Sequence, residues 1–309
     1  MTTLLYTHPA CLEHDPGPGH PESPARLRAV LEALAAPEFS TLVRREAPEA
    51  NRDDIARVHP LSLVEQLLAA VPQDGHVGID ADTVMSPGSG AAALRAAGAV
   101  VAAVDAVATG EASNAFCAVR PPGHHAEPRR PMGFCLFNNA AIGALRAREV
   151  HGLARVAVID FDVHHGNGTQ ARFYDDPTLF YASTHQYPLY PGTGGAGETG
   201  VDNNIVNVPL QPMSGSAEFR AGFERVILPA LDAFRPEFVV ISAGFDAHRS
   251  DPLAQLMLDE TDYAWVTGEL HQIARRYASG RVVSTLEGGY DLRALGASAA
   301  AHVRVLMSA

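Results

Sequence analysis

The stretch Val156-Ala-Val-Ile-Asp-Phe-Asp-Val-His-His-Gly-Asn-Gly168 runs an apolar segment of strand length directly into Asp160, Asp162, His164 and His165. Side chains on an extended strand alternate faces, so Asp160, Asp162 and His164, spaced by two, share one side and can converge on one ion. A capped strand end followed by a polar turn has the same pattern, so this segment alone decides little. Three further runs of the same kind decide more. Ala115–Val119 leads into Arg120-Pro-Pro-Gly-His-His125, Phe238–Ser242 into Ala243-Gly-Phe-Asp246, and Arg281–Leu286 into Glu287-Gly-Gly-Tyr-Asp291. Ligands of open parallel sheets bind beyond the carboxyl ends of the strands, so four chemically capable tips predict one shared cleft.

Working outward, strands are predicted near 4–7, 42–46, 115–119, 155–161, 179–183, 204–208, 238–242 and 282–286. They alternate with predicted helices near 24–36, 52–58, 61–70, 89–109, 138–149, 216–234, 261–278 and 291–307. This alternation predicts an α/β fold with a central, mostly parallel sheet and helices on both faces. The continuous apolar runs Val156–Ile159 and Phe238–Ile241 suit central strands, which are buried on both faces. No internal repeat and no linker interrupts the 309 residues, so one domain over 1–309 is expected. The longest irregular stretch, Gln186–Asn203, contains Gly192-Thr-Gly-Gly-Ala-Gly197, which fits the pattern G-x-G-x-x-G. No helix opens at its end, so a nucleotide site is not expected there.

Composition removes several chemistries. The net charge is −12 and no lysine occurs, so all 23 Lys-plus-Arg residues are arginine. A P-loop, Schiff-base catalysis and a serine–lysine mechanism are thereby excluded, and binding of a nucleic-acid backbone is not expected. Cys11, Cys117 and Cys135 are widely separated and form no Cys-x-x-Cys, so they suggest neither disulfides nor a thiolate zinc site. The start lacks the pattern of a signal peptide and no uninterrupted apolar run reaches membrane-spanning length. A soluble cytoplasmic protein with no membrane partner is therefore expected.

Asp162 and His164 need a third protein ligand if a catalytic zinc is to keep an open position, and Asp246, at the tip of a distant strand, is the best candidate. Two carboxylates nearly cancel the charge of a divalent ion, which then acidifies water less than a three-histidine zinc does. Such a site needs a separate base. A tandem histidine alone is more often solvent-facing, but His124 and His125 follow a predicted strand and titrate near working pH. Asp160 and Asn167 are the available orienting partners. His124 with Asp160 suits a fixed electrostatic role, and His125 with Asn167 suits a proton shuttle. Tyr290, after Gly288 and Gly289, can donate its hydroxyl to an oxyanion. Together these parts describe water addition to an amide carbonyl.

Through nearly the whole chain, six motifs in order resemble those of the zinc-dependent histone deacetylases. They are His20-Pro-Glu-Ser-Pro24, Arg120-Pro-Pro-Gly-His-His-Ala126, Gly133-Phe-Cys-Leu-Phe-Asn-Asn139, Asp160-Phe-Asp-Val-His-His-Gly-Asn-Gly-Thr-Gln170, Ser242-Ala-Gly-Phe-Asp246 and Leu286-Glu-Gly-Gly-Tyr290. Asn167 resembles the class II branch and its bacterial deacetylase-like amidohydrolases, where class I members carry Asp. The resemblance implies an arginase/deacetylase fold, zinc on Asp162, His164 and Asp246, and Tyr290 polarising the acyl carbonyl. It further implies a tunnel walled by Gly133 and Phe134 with Tyr190 opposite. A structural potassium ion is implied at Asp160, Asp162, His164, Ser183 and Thr184, and a second at backbone oxygens of Phe173, Asp176, Leu179 and Asn204. Asp82 is matched to a loop carboxylate that grips the substrate backbone.

Where polyamine-specific relatives can place an acidic gatekeeper, this chain has Leu253, and the long insertion of bacterial acetylpolyamine amidohydrolases is missing. The implied substrate is an acylated lysine peptide or a small linear acylated amine. The lysine-free, Ala- and Arg-rich composition suits a bacterium, for which a literal histone is not the expected substrate. Alternatives are an acetylpolyamine amidohydrolase, a binuclear manganese ureohydrolase on the same fold, and an inactive acyl-lysine binder. Oligomeric state is left open, as is the metal used in the cell, because iron(II) and cobalt(II) accept similar ligands.

Overall fold

Every residue of Val156–Asp160, Phe238–Ala243 and Val282–Leu286 is buried, which a sheet achieves only when helices cover both of its faces. The computed structural model describes residues 2–308. Its strands are β1 Thr3–Thr7, β2 Val43–Glu46, β3 Val77–Gly78, β4 Val84–Met85, β5 Asn114–Cys117, β6 Val156–Asp160, β7 Leu179–Gln186, β8 Ile205–Leu210, β9 Phe238–Ala243 and β10 Val282–Leu286. The α-helices are α1 Pro24–Ala33, α2 Arg52–Ala56, α3 Leu61–Ala69, α4 Ser89–Ala108, α5 Asn139–Glu149, α6 Asn167–Phe173, α7 Ser216–Gly222, α8 Leu228–Phe234, α9 Glu260–Tyr277 and α10 Leu292–Ser308.

Eight strands form one sheet in the order β2-β1-β5-β10-β9-β6-β7-β8, and every pairing in it is parallel. The predicted α/β architecture is therefore the observed one. β3 and β4 make a separate antiparallel ribbon. The four strands whose tips carry the chemistry, β5, β10, β9 and β6, are adjacent at the centre. Their register is flush: Asp160 faces Ser242, Ser242 faces Thr285 and Thr285 faces Cys117. The loops that follow must therefore emerge side by side, which is how residues far apart in sequence reach one cleft.

The β3–β4 ribbon was not expected, and two helical regions also differ from expectation. Residues 167–173 form the short helix α6, hidden in the sequence by the glycines around Asn167. The helix expected over 216–234 is divided by a π-turn, Phe223–Ile227, between α7 and α8. Pro229 has no amide hydrogen for the carbonyl of Arg225 four residues back, and the widened turn absorbs that missing bond.

By length and apolar content α4 could cross a membrane, yet 67% of its most apolar window is buried inside the protein. Small residues let it pack closely. A Cβ on Gly98 of α4 would lie 2.0 Å from the carbonyl oxygen of Pro48, and one on Gly143 of α5 would lie 2.4 Å from Val100 Cγ1. Gly98→Ala should therefore cost about 1–3 kcal/mol of stability through overpacking, measured by urea unfolding. An unchanged midpoint would contradict this packing.

Candidate active site

Asp162, His164 and Asp246 meet at the carboxyl end of the sheet, with one ligand atom from each lying within 4.8 Å of the others, all buried. His164 Nδ1 stands 3.2 Å from Asp162 Oδ1 and 3.1 Å from Asp246 Oδ2. Backbone amides fix the carboxylates: Val163 N donates to Asp246 Oδ1 at 2.8 Å and Gly288 N to Asp162 Oδ2 at 2.8 Å. Glycine is required alongside. A Cβ on Gly288 would fall 2.1 Å from Asp246 Oδ2, and one on Gly244 would fall 2.0 Å from Asp162 Oδ2. Burial and the neighbouring Asp162 push the Asp246 carboxyl up to about 7. Burial alone would lower the His164 imidazole, but the two carboxylates raise it to about 10. A divalent cation between the three would displace that proton and neutralise both carboxylates, so these side chains fit a metal. Two oxygens and one imidazole nitrogen suit zinc with an open position.

The two histidines of the β5 tip stack beside this cluster, with ring centroids 4.0 Å apart. His124 Nδ1 lies 2.9 Å from Asp160 Oδ2, and His125 Nδ1 lies 2.8 Å from Asn167 Oδ1. Asn167 Nδ2 donates to Glu127 Oε1 at 2.8 Å, which turns its oxygen toward His125. His125 Nδ1 must then carry the hydrogen, leaving the Nε2 lone pair free. Burial would lower His124, but the Asp162 and Asp160 carboxylates hold it well above the ordinary imidazole range. Burial, and then the charges of His124 and His164, hold His125 well below that range. The pair is thus electrostatically split.

Tyr290 follows Glu287-Gly-Gly at the tip of β10. Its amide donates to Asp251 Oδ2 at 2.7 Å, and the Arg26 guanidinium lies 4.8 Å from the centre of its ring. Burial raises its phenol well above the usual range despite Arg26, so the phenol stays protonated and able to donate. Gly133 and Phe134 adopt left-handed backbone, φ 58° and 68°. A Cβ on Gly133 would lie 2.5 Å from His125 Cδ2, so the chain runs directly over that ring. The Tyr190 ring meets His125 edge-on at 5.1 Å, while Phe134 lies 4.9 Å from His20 and 6.0 Å from Tyr290. Thr83 Oγ1 accepts from Phe134 N at 3.1 Å and donates to Asp82 Oδ1 at 3.2 Å, which brings Asp82 to the Phe134 wall. Leu253 N donates to Asp251 Oδ1 at 3.0 Å, on the segment that holds Tyr290.

Asp160 and Ser183 face each other across β6 and β7, with Thr184 next along the strand, and Ser183 Oγ meets His185 Nδ1 at 2.9 Å. The backbone oxygens of Phe173, Asp176 and Leu179 also converge, but on the side-chain nitrogen of Asn204, at 2.8, 3.0 and 2.9 Å. His165 belongs to neither set. Its Nδ1 meets Thr193 Oγ1 at 2.7 Å and, with His185 Nε2 at 2.9 Å from Gly194 O, it anchors the long loop carrying Tyr190. Burial pushes these rings down to about 3 and about 4, so both stay neutral. In the same loop Gly194 N and Gly195 N donate to Glu198 Oε1 at 3.0 and 2.8 Å, which occupies amides a phosphate would need.

Several supporting residues carry no local sequence signal for their role. Glu287 Oε2 accepts from Gly123 N at 2.7 Å and His124 N at 3.1 Å, fixing the histidine turn. Arg26 donates to the carbonyls of Glu287 and Gly289, both at 2.5 Å. Glu22 then binds Arg26 at 3.0 Å and takes a two-pronged contact from Arg120, with His14 Nε2 at 3.3 Å. Burial would raise the Glu22 carboxyl, but Arg120 and His14 hold it well below the usual carboxylate range. A fully buried ionic cluster thus stands behind the Tyr290 turn.

With this geometry the chain matches the Histone deacetylase domain model over residues 20–306. The chain belongs to the histone deacetylase family. It is 39% identical to the Histone deacetylase-like amidohydrolase of Pseudomonas aeruginosa, over 94% of this chain and 82% of that protein. It is 38% identical to Histone deacetylase 14, chloroplastic, of Arabidopsis thaliana, over 98% of this chain and 76% of that protein. The crystal structure of the HDA15 HD domain superposes with a TM-score of 0.94 at 37% identity, covering 99% of this chain and 88% of that one. The fold is therefore the arginase/deacetylase fold, with the parallel sheet described above.

Removing Glu22 from the buried cluster leaves two guanidinium groups facing each other without their carboxylate. Glu22→Ala should lose about 3–5 kcal/mol of unfolding free energy in a urea titration. A loss below about 1 kcal/mol, the scale of an exposed ion pair, would show that the cluster does not hold the turn.

Proposed function

We propose that the protein hydrolyses the amide of an acylated lysine side chain or a similar linear acylated amine. The observation that carries this reading is the convergence of Asp162, His164 and Asp246 beside two stacked histidines, one facing the Asp160 carboxylate and the other the Asn167 amide oxygen. When bound, a zinc ion supplies Lewis acidity toward a water and the acyl carbonyl. His125, with Nδ1–H held by Asn167, takes a proton at its free Nε2 and returns it to the leaving amine. His124, kept charged by Asp160, offers positive potential where negative charge develops. The Tyr290 hydroxyl donates to the acyl oxygen. Phe134 and Tyr190 offer aromatic faces to a four-carbon stem, and the Gly133 carbonyl offers an acceptor for the substrate amide. A potassium ion at Asp160, Asp162, His164, Ser183 and Thr184 is part of this reading and rests on the family resemblance.

Leu253 offers no carboxylate to a second amine, which favours acyl-lysine over acetylpolyamine. A binuclear manganese site finds little support, because among the described residues one cluster of three His and Asp ligands is found.

Full-length enzyme loaded with zinc should release acetate from an acetyl-lysine peptide. His125→Ala should lower kcat/KM by about 10²-fold or more with metal content unchanged. Binding of the peptide without acetate release would instead favour an inactive binder. Because His125 is held below the ordinary imidazole range, its Nε2 should stay free on acidification. The acid limb of kcat/KM should accordingly fall below pH of about 6.5. A limb centred at or above that value would contradict the neutral His125.

A further inference from the structure

Asn204, 3% exposed at the entrance to β8, points its side chain into the turn joining α6 to β7. Its Nδ2 stands 2.8 Å from Phe173 O, 3.0 Å from Asp176 O and 2.9 Å from Leu179 O. Three carbonyl dipoles aimed at one point create a negative focus of the kind alkali cations occupy, and the family resemblance places a second potassium among these oxygens. Here the focus is already filled. The amide nitrogen stands at ion–oxygen range from all three carbonyls, and the Asn204 carbonyl, expected as the fourth ligand, accepts from Tyr181 N at 2.9 Å.

The surroundings also say which end of the amide lies in the cradle. Turning it over would set Oδ1 within about 3.0 Å of three carbonyl oxygens, acceptor against acceptor. An NH₂ group has two hydrogens for three acceptors, so one is shared, and Oδ1 is left buried with no hydrogen-bond partner. Backbone shape holds it there. Gly200 has φ 64°, and a Cβ on it would lie 2.3 Å from Asn204 Oδ1. Asp202 and Asn203 are left-handed as well, at φ 53° and 56°, which folds the chain back over the cradle.

We propose that the Asn204 amide replaces a monovalent cation in this chain, so that a neutral side chain locks the α6–β7 turn. That turn links Asn167, at the start of α6, to Ser183 in β7. The lock therefore acts on the support of His125 without requiring an alkali ion at this point. The inference does not depend on the reaction proposed above.

Crystals of the full chain and of Asn204→Ala, soaked together in rubidium chloride, test it by anomalous scattering at the rubidium edge. The parent protein should show no peak inside the cradle, and Asn204→Ala should show one bounded by the three carbonyls. A peak in the parent with the Asn204 side chain displaced would overturn the proposal. So would its absence from both, since the cradle would then have no affinity for a cation.

Asn204→Asp provides a solution measurement in an isosteric variant. Its carboxylate faces the same carbonyls and needs a cation to do so, whereas the parent does not. Its melting temperature should rise by about 5 °C more than the parent's when choline chloride is replaced by potassium chloride. Equal rises in the two proteins would count against the amide as the replacement.

Discussion

Two buried carboxylates facing one imidazole form the constraint around which this protein is built. Asp162 and Asp246 come from neighbouring strands and lie too close for both to stay charged without a partner. A site of that kind costs stability unless a cation neutralises it, so the surrounding structure must hold it open against collapse. The glycines at 244 and 288 leave space that any side chain would fill, and backbone amides from Val163 and Gly288 fix the carboxylate oxygens. Behind them, the buried ion cluster of Glu22, Arg26 and Arg120 ties the Glu287-Gly-Gly turn to the opening segment of the chain.

The flush register of β5, β10, β9 and β6 supplies the geometry, and second contacts supply the chemistry. His124 and His125 are adjacent in sequence and alike in type, yet one faces a carboxylate and the other an amide oxygen. Together with the nearby Asp162 carboxylate, the Asp160 contact favours the charged form of His124, whereas burial and the charge of His124 itself favour the neutral form of His125, whose Nδ1–H Asn167 orients. Glu127 takes part at one remove, because its hold on Asn167 Nδ2 decides which atom of that amide His125 meets.

Much of this was legible in the sequence because its signals are local. Continuous apolar runs ending in polar tips revealed the central strands, although β6 ends at Asp160, so Asp162 and His164 stand in the bend beyond it and not on the strand whose alternation was expected to align them. The histidine partners, Asp160 and Asn167, were also within reach of such reasoning. Longer-range features were not. Glu22 stands in a motif of the family resemblance, but its spacing from Arg26 does not announce that both side chains are fully buried against the Tyr290 turn. Glu287 gives no sign that it bonds the amides of a turn 163 residues away. The helix at 167–173 was masked by glycine, and the π-turn at 223–227 by a hydrophobic pattern that a uniform helix also satisfies. In the Phe173, Asp176 and Leu179 cradle, the resemblance pointed to backbone oxygens, whereas the side chain of Asn204 determines what lies between them.

Anomalous diffraction at the zinc edge, on crystals grown with zinc, tests the central claim most directly. The account predicts one strong peak per chain, bounded by Asp162, His164 and Asp246, with one coordination position facing His125 and Tyr290. No peak there, or a metal held by other side chains, would contradict it.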